Sequence, residues 1–223
     1  MSDDRVHVLL VDDQTALREA LAFALEREPD VTITGHVATI AEARRCLAQI
    51  PVDVAVTELD LPDGSGIELI DDLRQLRPLV QVLILTATAD RYDLAEAVRA
   101  GAAGVLHKSV PLDEIVTAVH RLCAGQPVIE PTELVRLLHL AAERRSEQEA
   151  TQAALARLTP REREVLVALA RGLSDKEIAQ QLQMRHETAR THMDRLLRKL
   201  GVQSRLQALV FAVKHGVVRV DTE

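Results

Sequence analysis

Five times in its first 125 residues the chain passes from a short apolar run into a stretch with helical spacing. Val6-His7-Val8-Leu9-Leu10-Val11 is nearly continuous in apolar character, as a strand covered on both faces must be. Residues 15–27 follow with Leu17, Ala20, Leu21, Ala24 and Leu25 on one helical stripe. The same switch recurs. Further strands are predicted over Val31–His36, Val52–Thr57, Val80–Thr86 and Val105–His107, and helices over Ile40–Ala48, Ile67–Leu76, Leu94–Ala100 and Leu112–Cys123. Such alternation predicts an α/β fold, a doubly wound five-stranded parallel sheet with helices on both faces. Ala124-Gly125-Gln126-Pro127 ends the pattern and closes a first domain at residues 1–125.

Residues 126–157 read as a largely helical linker. Leu134, Leu137, Leu138 and Ala141 form an apolar stripe near its start, whereas the middle, ERRSEQEATQ, is polar throughout. A dimer-forming coil is the alternative, although the apolar repeat is short for a heptad pattern. From 158 to 223 the pattern is helical, predicting a smaller all-α domain. Thr159, Pro160 and Glu162 have the arrangement of an N-cap, an N1 proline and an acidic N3 residue. Ser174 and Glu177 repeat the capping box before a short helix to about Leu182. A longer helix spans Glu187–Leu200 and stops at Gly201, and Ser204 caps a last one over Leu206–Val213. Two helices joined by a tight turn in such a unit suit helix-turn-helix readout of DNA.

Charge divides along the same boundary. Residues 159–223 carry 12 Lys/Arg against 8 Asp/Glu, and the remainder carries 15 against 26. An acidic front and a basic back imply different partners. Aromatics make up 1% of the chain, so stacking on single-stranded nucleic acid is excluded as its main business. There is no apolar run of about 18 residues and no signal-peptide pattern, which predicts a cytoplasmic protein without membrane attachment. Cys46 and Cys123 stand alone, without metal-ligand spacing, and are expected to be buried thiols in a reducing compartment.

Ligands of an open α/β sheet sit beyond the carboxyl ends of its strands. Asp12 and Asp13 fall there after the first strand, Glu58 after the third, Thr86 after the fourth and Lys108 after the fifth. Carboxylates that could hold Mg²⁺, with a hydroxyl and an ammonium able to donate to phosphoryl oxygens, make an acidic pocket for phosphoryl chemistry.

These residues resemble the receiver domains of response regulators, through Val11-Asp12-Asp13, the LPDGSG of Leu61–Gly66, Thr86-Ala87, and Lys108 with Val110-Pro111. The resemblance implies an Asp that accepts phosphate four residues before the proline that is Pro62 here. That position holds Glu58. Glu is one methylene longer, and its carboxylate reaches where a phosphoryl group would sit. It is a poor nucleophile for that geometry and a reasonable permanent anion for Lys108 and Thr86. Asp60 is a nearby substitute acceptor, with a solvent-facing loop carboxylate as the plainer reading. The family also implies a Tyr or Phe that couples pocket occupancy to the outer face, where this chain has Val105. Coupling by a swinging ring is therefore not expected.

The C-terminal text LTPREREVL, DKEIAQQL and ETARTHMDRLLRKLGV resembles the LuxR-type helix-turn-helix, which makes the whole chain similar to the NarL/FixJ group of response regulators. On the long helix, Ala189, Met193, Leu196 and Leu200 share a core face, opposite Glu187, Arg190, Thr191 and Asp194. Arg190 can reach guanine or phosphate, and Asp194 can accept from cytosine. Lys176, Thr188, Arg195 and Lys199 are placed for backbone contacts. In the family, the positions of Lys176, Thr188, Arg190 and Lys199 commonly touch DNA. Arg185 and His186 replace the small capping residue usual before this helix, which weakens its first turn and offers groups for phosphate. His192 reads as a packing residue, and the last helix either as the family's dimer-forming helix or as core.

The expected function is a DNA-binding transcription regulator of the response-regulator type, working as a homodimer on double-stranded DNA, controlled without conventional Asp phosphorylation. Its input would be a protein partner, a small ligand, dimer concentration or nothing beyond expression level, with a sensor kinase as the partner in the alternative. The alternative is a phosphorelay regulator phosphorylated by a histidine kinase on Glu58 or Asp60. A Mg²⁺-dependent phosphatase built on the acidic pocket lacks a nucleophile with its base and leaves the helix-turn-helix unexplained, so no enzyme is expected.

Overall fold

The computed structural model describes residues 5–217. The chain divides into two compact units between Glu143 and Arg144. In the first, strands β1 (Val6–Val11), β2 (Val31–Val37), β3 (Val54–Thr57), β6 (Gln81–Thr86) and β7 (Gly104–His107) form one sheet in the order β2-β1-β3-β6-β7. Every pair in it is parallel. The order reverses direction at β1, placing the crevice beyond the carboxyl ends of β1 and β3.

Period-2 alternation sorts the side chains into two cores. Leu9, Val11 and Ala55 face the helices α2 (Ile40–Gln49), α3 (Gly66–Leu76) and α4 (Arg91–Ala100). Val8, Leu10, Val54 and Val56 face α1 (Thr15–Glu26) and α5 (Leu112–Cys123). Helix starts are locally encoded. The side chain of Thr39 accepts from Glu42 N, Ser65 from Ile67 N and Asp90 from Tyr92 N. The Asp90 cap moves the start of α4 to Arg91, one turn before the Leu94 at which apolar spacing begins. Between β3 and α3 the LPDGSG segment forms an antiparallel hairpin of β4 (Asp60–Leu61) and β5 (Gly64–Ser65), an element that sequence patterning does not anticipate.

Helix α6 runs unbroken over Pro131–Ala156. Its first half belongs to the first unit, where Leu137 and Ala141 are buried against Ala95 and Val98 of α4. Leu138, placed on the apolar stripe by spacing, is 42% exposed, and Leu140 is half-buried in its stead. The linker read as 126–157 is thus shared between the two units.

The second unit contains α7 (Pro160–Ala170), α8 (Asp175–Gln181), α9 (His186–Leu200) and α10 (Arg205–Lys214) around an aliphatic core centred on Val165, Leu166, Ile178 and Leu196. Both capping boxes form, Thr159 with Glu162 and Ser174 with Glu177. The turn between α8 and α9 takes a positive φ of 51° at Gln183. On α10 only Ala208 and Ala212 are buried, while Leu206, Val210 and Val213 are exposed. The expectation that both thiols are buried holds for neither: Cys46 is half-buried and Cys123 is exposed. Partial burial of the Cys123 thiol, with Asp53 and Asp30 nearby, pushes it up to about 11, so it is protonated and unreactive.

Candidate functional site

Strand ends bring four of the five pocket residues together. Asp12 and Glu58 are each 4% exposed and Thr86 is 1% exposed. Lys108 Nζ lies 2.7 Å from Asp12 Oδ2 and 2.7 Å from Glu58 Oε2, with little of its side chain exposed. The contacts are ionic more than directional, since neither Nζ nor Asp12 Oδ2 reaches good hydrogen-bond angles. Glu58 Oε1 accepts from Leu59 N at 2.6 Å and from Asp60 N at 3.4 Å. Asp12 Oδ1 accepts from Gln14 N at 2.8 Å, and the Arg18 guanidinium donates to the Asp12 carbonyl.

Burial pushes the Glu58 carboxyl up. Bonds from Lys108, from the Thr86 hydroxyl and from Leu59 N–H bring it down by more, leaving it below the ordinary range. Burial likewise pushes Lys108 down, and Asp12 and Glu58 together raise it above the usual lysine value. The pocket therefore holds the Glu58 carboxylate and the Lys108 ammonium, both charged at neutral pH.

Close backbone packing fixes Glu58. Gly66 donates N–H to the Leu59 carbonyl at 2.8 Å, and a methyl group on Gly66 would collide with the Glu58 carbonyl. This explains the second glycine of LPDGSG by close approach. Asp63 serves α2, accepting from Ile40 N and Ala41 N at 2.9 Å each.

Asp13 is exposed. Asp12, Asp13 and Glu58 do not bring three carboxylate oxygens within 4.8 Å of one another. The Lys108 ammonium lies between Asp12 and Glu58. The group that meets that spacing among the described residues is Glu28, Asp30 and His120, at the far end of α5, where His120 lies 3.4 Å and 3.3 Å from the two carboxylates.

Val105 is half-buried in two clusters, the α2–α4 core and the contact of α4 with α6. Next to it in sequence, His107 carries a role that sequence reasoning missed. Its Nε2 lies 3.1 Å from the Ala87 carbonyl, and its Nδ1 accepts from Ser109 N at 3.1 Å. That pairing calls for the neutral Nε2–H tautomer, and adds a side-chain rung beyond the last β6–β7 pair, Thr86–His107.

In the second unit, Ala189, Met193, Leu196 and Leu200 are buried on α9 as spacing predicts. Lys176, Arg185, Thr188, Arg190, Thr191, Asp194 and Arg195 are all exposed. Arg185 occupies the N-cap of α9 without a side-chain capping bond, while its carbonyl accepts from Thr188 N and Ala189 N. Thr191 Oγ1 donates back to the Glu187 carbonyl at 2.9 Å. Lys199 stands apart from these residues. Its Nζ reaches Glu162 Oε2 at 2.6 Å and the Arg157 carbonyl at 3.0 Å. Glu162 is 2% exposed, so its carboxylate caps α7 and holds the last turn of α9 at once.

An α/β unit with a charged pocket at its switch point, joined to a helical unit presenting a cationic α9, defines a two-domain signal-responsive regulator. Residues 8–120 match the response regulator receiver domain, and residues 156–212 match the bacterial regulatory proteins of the luxR family. The chain belongs to the response-regulator family, and its C-terminal domain is the LuxR-type DNA-binding helix-turn-helix.

It is 36% identical over 215 residues to the DNA-binding transcriptional activator DevR/DosR of Mycobacterium tuberculosis, covering 94% of each chain. It is 30% identical to the uncharacterized transcriptional regulatory protein YxjL of Bacillus subtilis, covering 98% of this chain and 100% of that one. The response regulator RcsB of Salmonella typhimurium shares its fold at a TM-score of 0.54 and 23% identity, over 93% of this chain and 98% of that one. These relatives are regulators rather than enzymes. Among the described residues no helix is long and apolar enough to cross a membrane.

Proposed function

We propose that this regulator carries its pocket anion in its own side chain and binds paired DNA half-sites without conventional phosphorylation. The observation that carries the reading is the Lys108 ammonium set 2.7 Å from both Asp12 and Glu58. A phosphoryl group on a receiver gains from such an ammonium and a Thr hydroxyl, and here both already serve Glu58. The Glu58 carboxylate is held by Lys108, Thr86 and Leu59 N–H, the partners that a phosphoryl group would otherwise use. Asp60 is exposed on the β4–β5 hairpin.

The test is incubation with a small acyl-phosphate donor, followed by intact-mass measurement and selection of DNA from random fragments at fixed salt. The expected result is no phosphoryl adduct and recovery of a paired half-site from the untreated protein. Glu58→Gln is expected to weaken that binding. An acid-labile adduct on Glu58 or Asp60 that raises DNA affinity would instead establish a phosphorelay regulator fed by a histidine kinase.

The DNA surface in this reading is the exposed side of α9 with its approach. Arg190, Thr191 and Asp194 face base edges, while Lys176, Arg185, Thr188 and Arg195 meet phosphates. Lys199 contributes chiefly by anchoring α9 to Glu162, with its remaining exposed edge toward phosphate. A homodimer supplies the second half-site. Replacing Arg190 by Ala is expected to relax discrimination at one base pair by about 1–3 kcal/mol. Competition binding against singly substituted operators checks this. Equal loss on every sequence would assign Arg190 to phosphate.

A further inference from the structure

Helix α6 is held at its ends and bare in its middle. Ala154 and Leu155 pack into the core of the second unit, and Leu137 and Ala141 are buried in the first. Between them, residues 142–153 contain no buried side chain. A helical stretch of that length is marginal in water when it buries nothing. The burial of Leu137 and Ala141 ties the first half of α6 to the surface beneath it.

That surface is built for the purpose. Ala95 is fully buried and Val98 nearly so, both under α6, and half-buried Leu94, Val105, Ile129, Leu134 and Leu140 complete the patch. Ala95 and Val98 form the α4 side of the patch on which Leu137 and Ala141 rest. At the N-terminal end of the helix, the Arg91 guanidinium meets the Glu133 carboxylate at 2.7 Å. An ordinary flexible linker would show none of this. Val105 belongs both to this patch and to the α2–α4 core that underlies the acidic pocket.

We infer that the first half of α6 is a latch on the α4–β7 face, and that latching sets where the tether to the DNA-binding domain begins. Latched, the tether begins near residue 144. Released, it begins after Gly125, with 18 more residues of free chain. Effective concentration between linked modules depends steeply on tether length. The latch thus restricts how far apart two half-sites can lie while both DNA-binding domains of a dimer engage. Val105 and Leu94 give the receiver core a route to that latch by direct packing. This rests on the proposed binding of paired half-sites, whereas the latch itself is measured without DNA.

The experiment uses the full chain in three forms, parent, Leu137→Glu and Leu138→Glu, in amide hydrogen exchange. The two substitutions add the same charge to neighbouring positions of one helix. Only Leu137 is in the latch, and Leu138 is 42% exposed. Both lie on the linker, so the receiver sheet keeps its protection in each. Residues 132–141 are expected to exchange at least about tenfold faster in Leu137→Glu and at the parent rate in Leu138→Glu. Equal acceleration in both, or in neither, overturns the latch.

The same proteins are then offered paired half-sites whose separation is stepped by one base pair. Leu137→Glu is expected to keep the half-site sequence and tolerate a wider range of separations. An unchanged separation profile alongside faster exchange overturns the tether role. Loss of all specific binding by the parent would instead remove the DNA reading and leave the exchange result standing.

Discussion

Lys108→Met is expected to destabilise the receiver by about 3–5 kcal/mol, the cost of removing one partner from a buried ionic cluster. Methionine fills much of the lysine volume, so the loss reports charge more than cavity. Asp12 and Glu58, both 4% exposed, are left facing each other without a cation. The pH dependence of this loss has a definite sign. In the parent, the lowered Glu58 carboxyl contributes stability that is present above the unfolded carboxylate pKa and lost as pH falls through its folded value. The raised Lys108 contributes stability that is present below the unfolded lysine pKa and lost as pH rises through its folded value.

The parent is therefore flat through neutrality and weakens toward acid. Without Lys108 the burial that pushes Glu58 up is no longer overcome, so the variant gains stability as pH falls into the carboxylate range. Urea denaturation between pH 4 and 8 reads both effects, and adding Glu58→Gln to Lys108→Met recovers part of the loss. A variant that tracks the parent's pH profile would show that the ammonium contributes little to the pocket.

Leu196→Ala is expected to cost the C-terminal domain about 2–5 kcal/mol. Leu196 is fully buried at the centre of α9, among residues of α7, α8 and α10. A domain this small has a stability of similar size, so the substitution brings it close to unfolding at growth temperature. Two units with separate cores predict two thermal transitions. The C-terminal one is expected to fall by more than about 10 °C, at roughly 4–8 °C for each kcal/mol in a domain of this length. The receiver transition stays in place, and DNA binding disappears with the lower transition. If calorimetry shows one transition that moves as a whole, the two cores unfold together.

The parts of this protein that were legible in sequence are those that local physics encodes. Buried strands read as apolar runs because both faces of the sheet are covered, and the capping boxes at Thr159 and Ser174 read directly because a cap involves residues three apart. The core face of α9 followed from spacing alone. The illegible parts are contacts between distant segments. Lys199 looked like any cation on a DNA-binding helix, and nothing local says that Glu162, 37 residues away, takes it. The β4–β5 hairpin is two short pairings made by a turn whose residues also suit a loop. Leu138 and Leu140 exchanged roles because the α4 surface, not the helix's own period, decides which side of α6 is covered. His107 was passed over since a histidine beside a strand end says nothing until the Ala87 carbonyl and Ser109 are in place around it.

The one methylene that distinguishes Glu58 from the Asp that the receiver resemblance implies at its position has a genetic side. Codons for Glu and Asp differ only at the third base, in the exchange of a purine for a pyrimidine. Around Glu58, the backbone amide of Leu59, the Gly66 backbone, Thr86 and Lys108 would be kept by such a change. Under the proposed function, a single point mutation would therefore separate a built-in anion from one supplied by a signal.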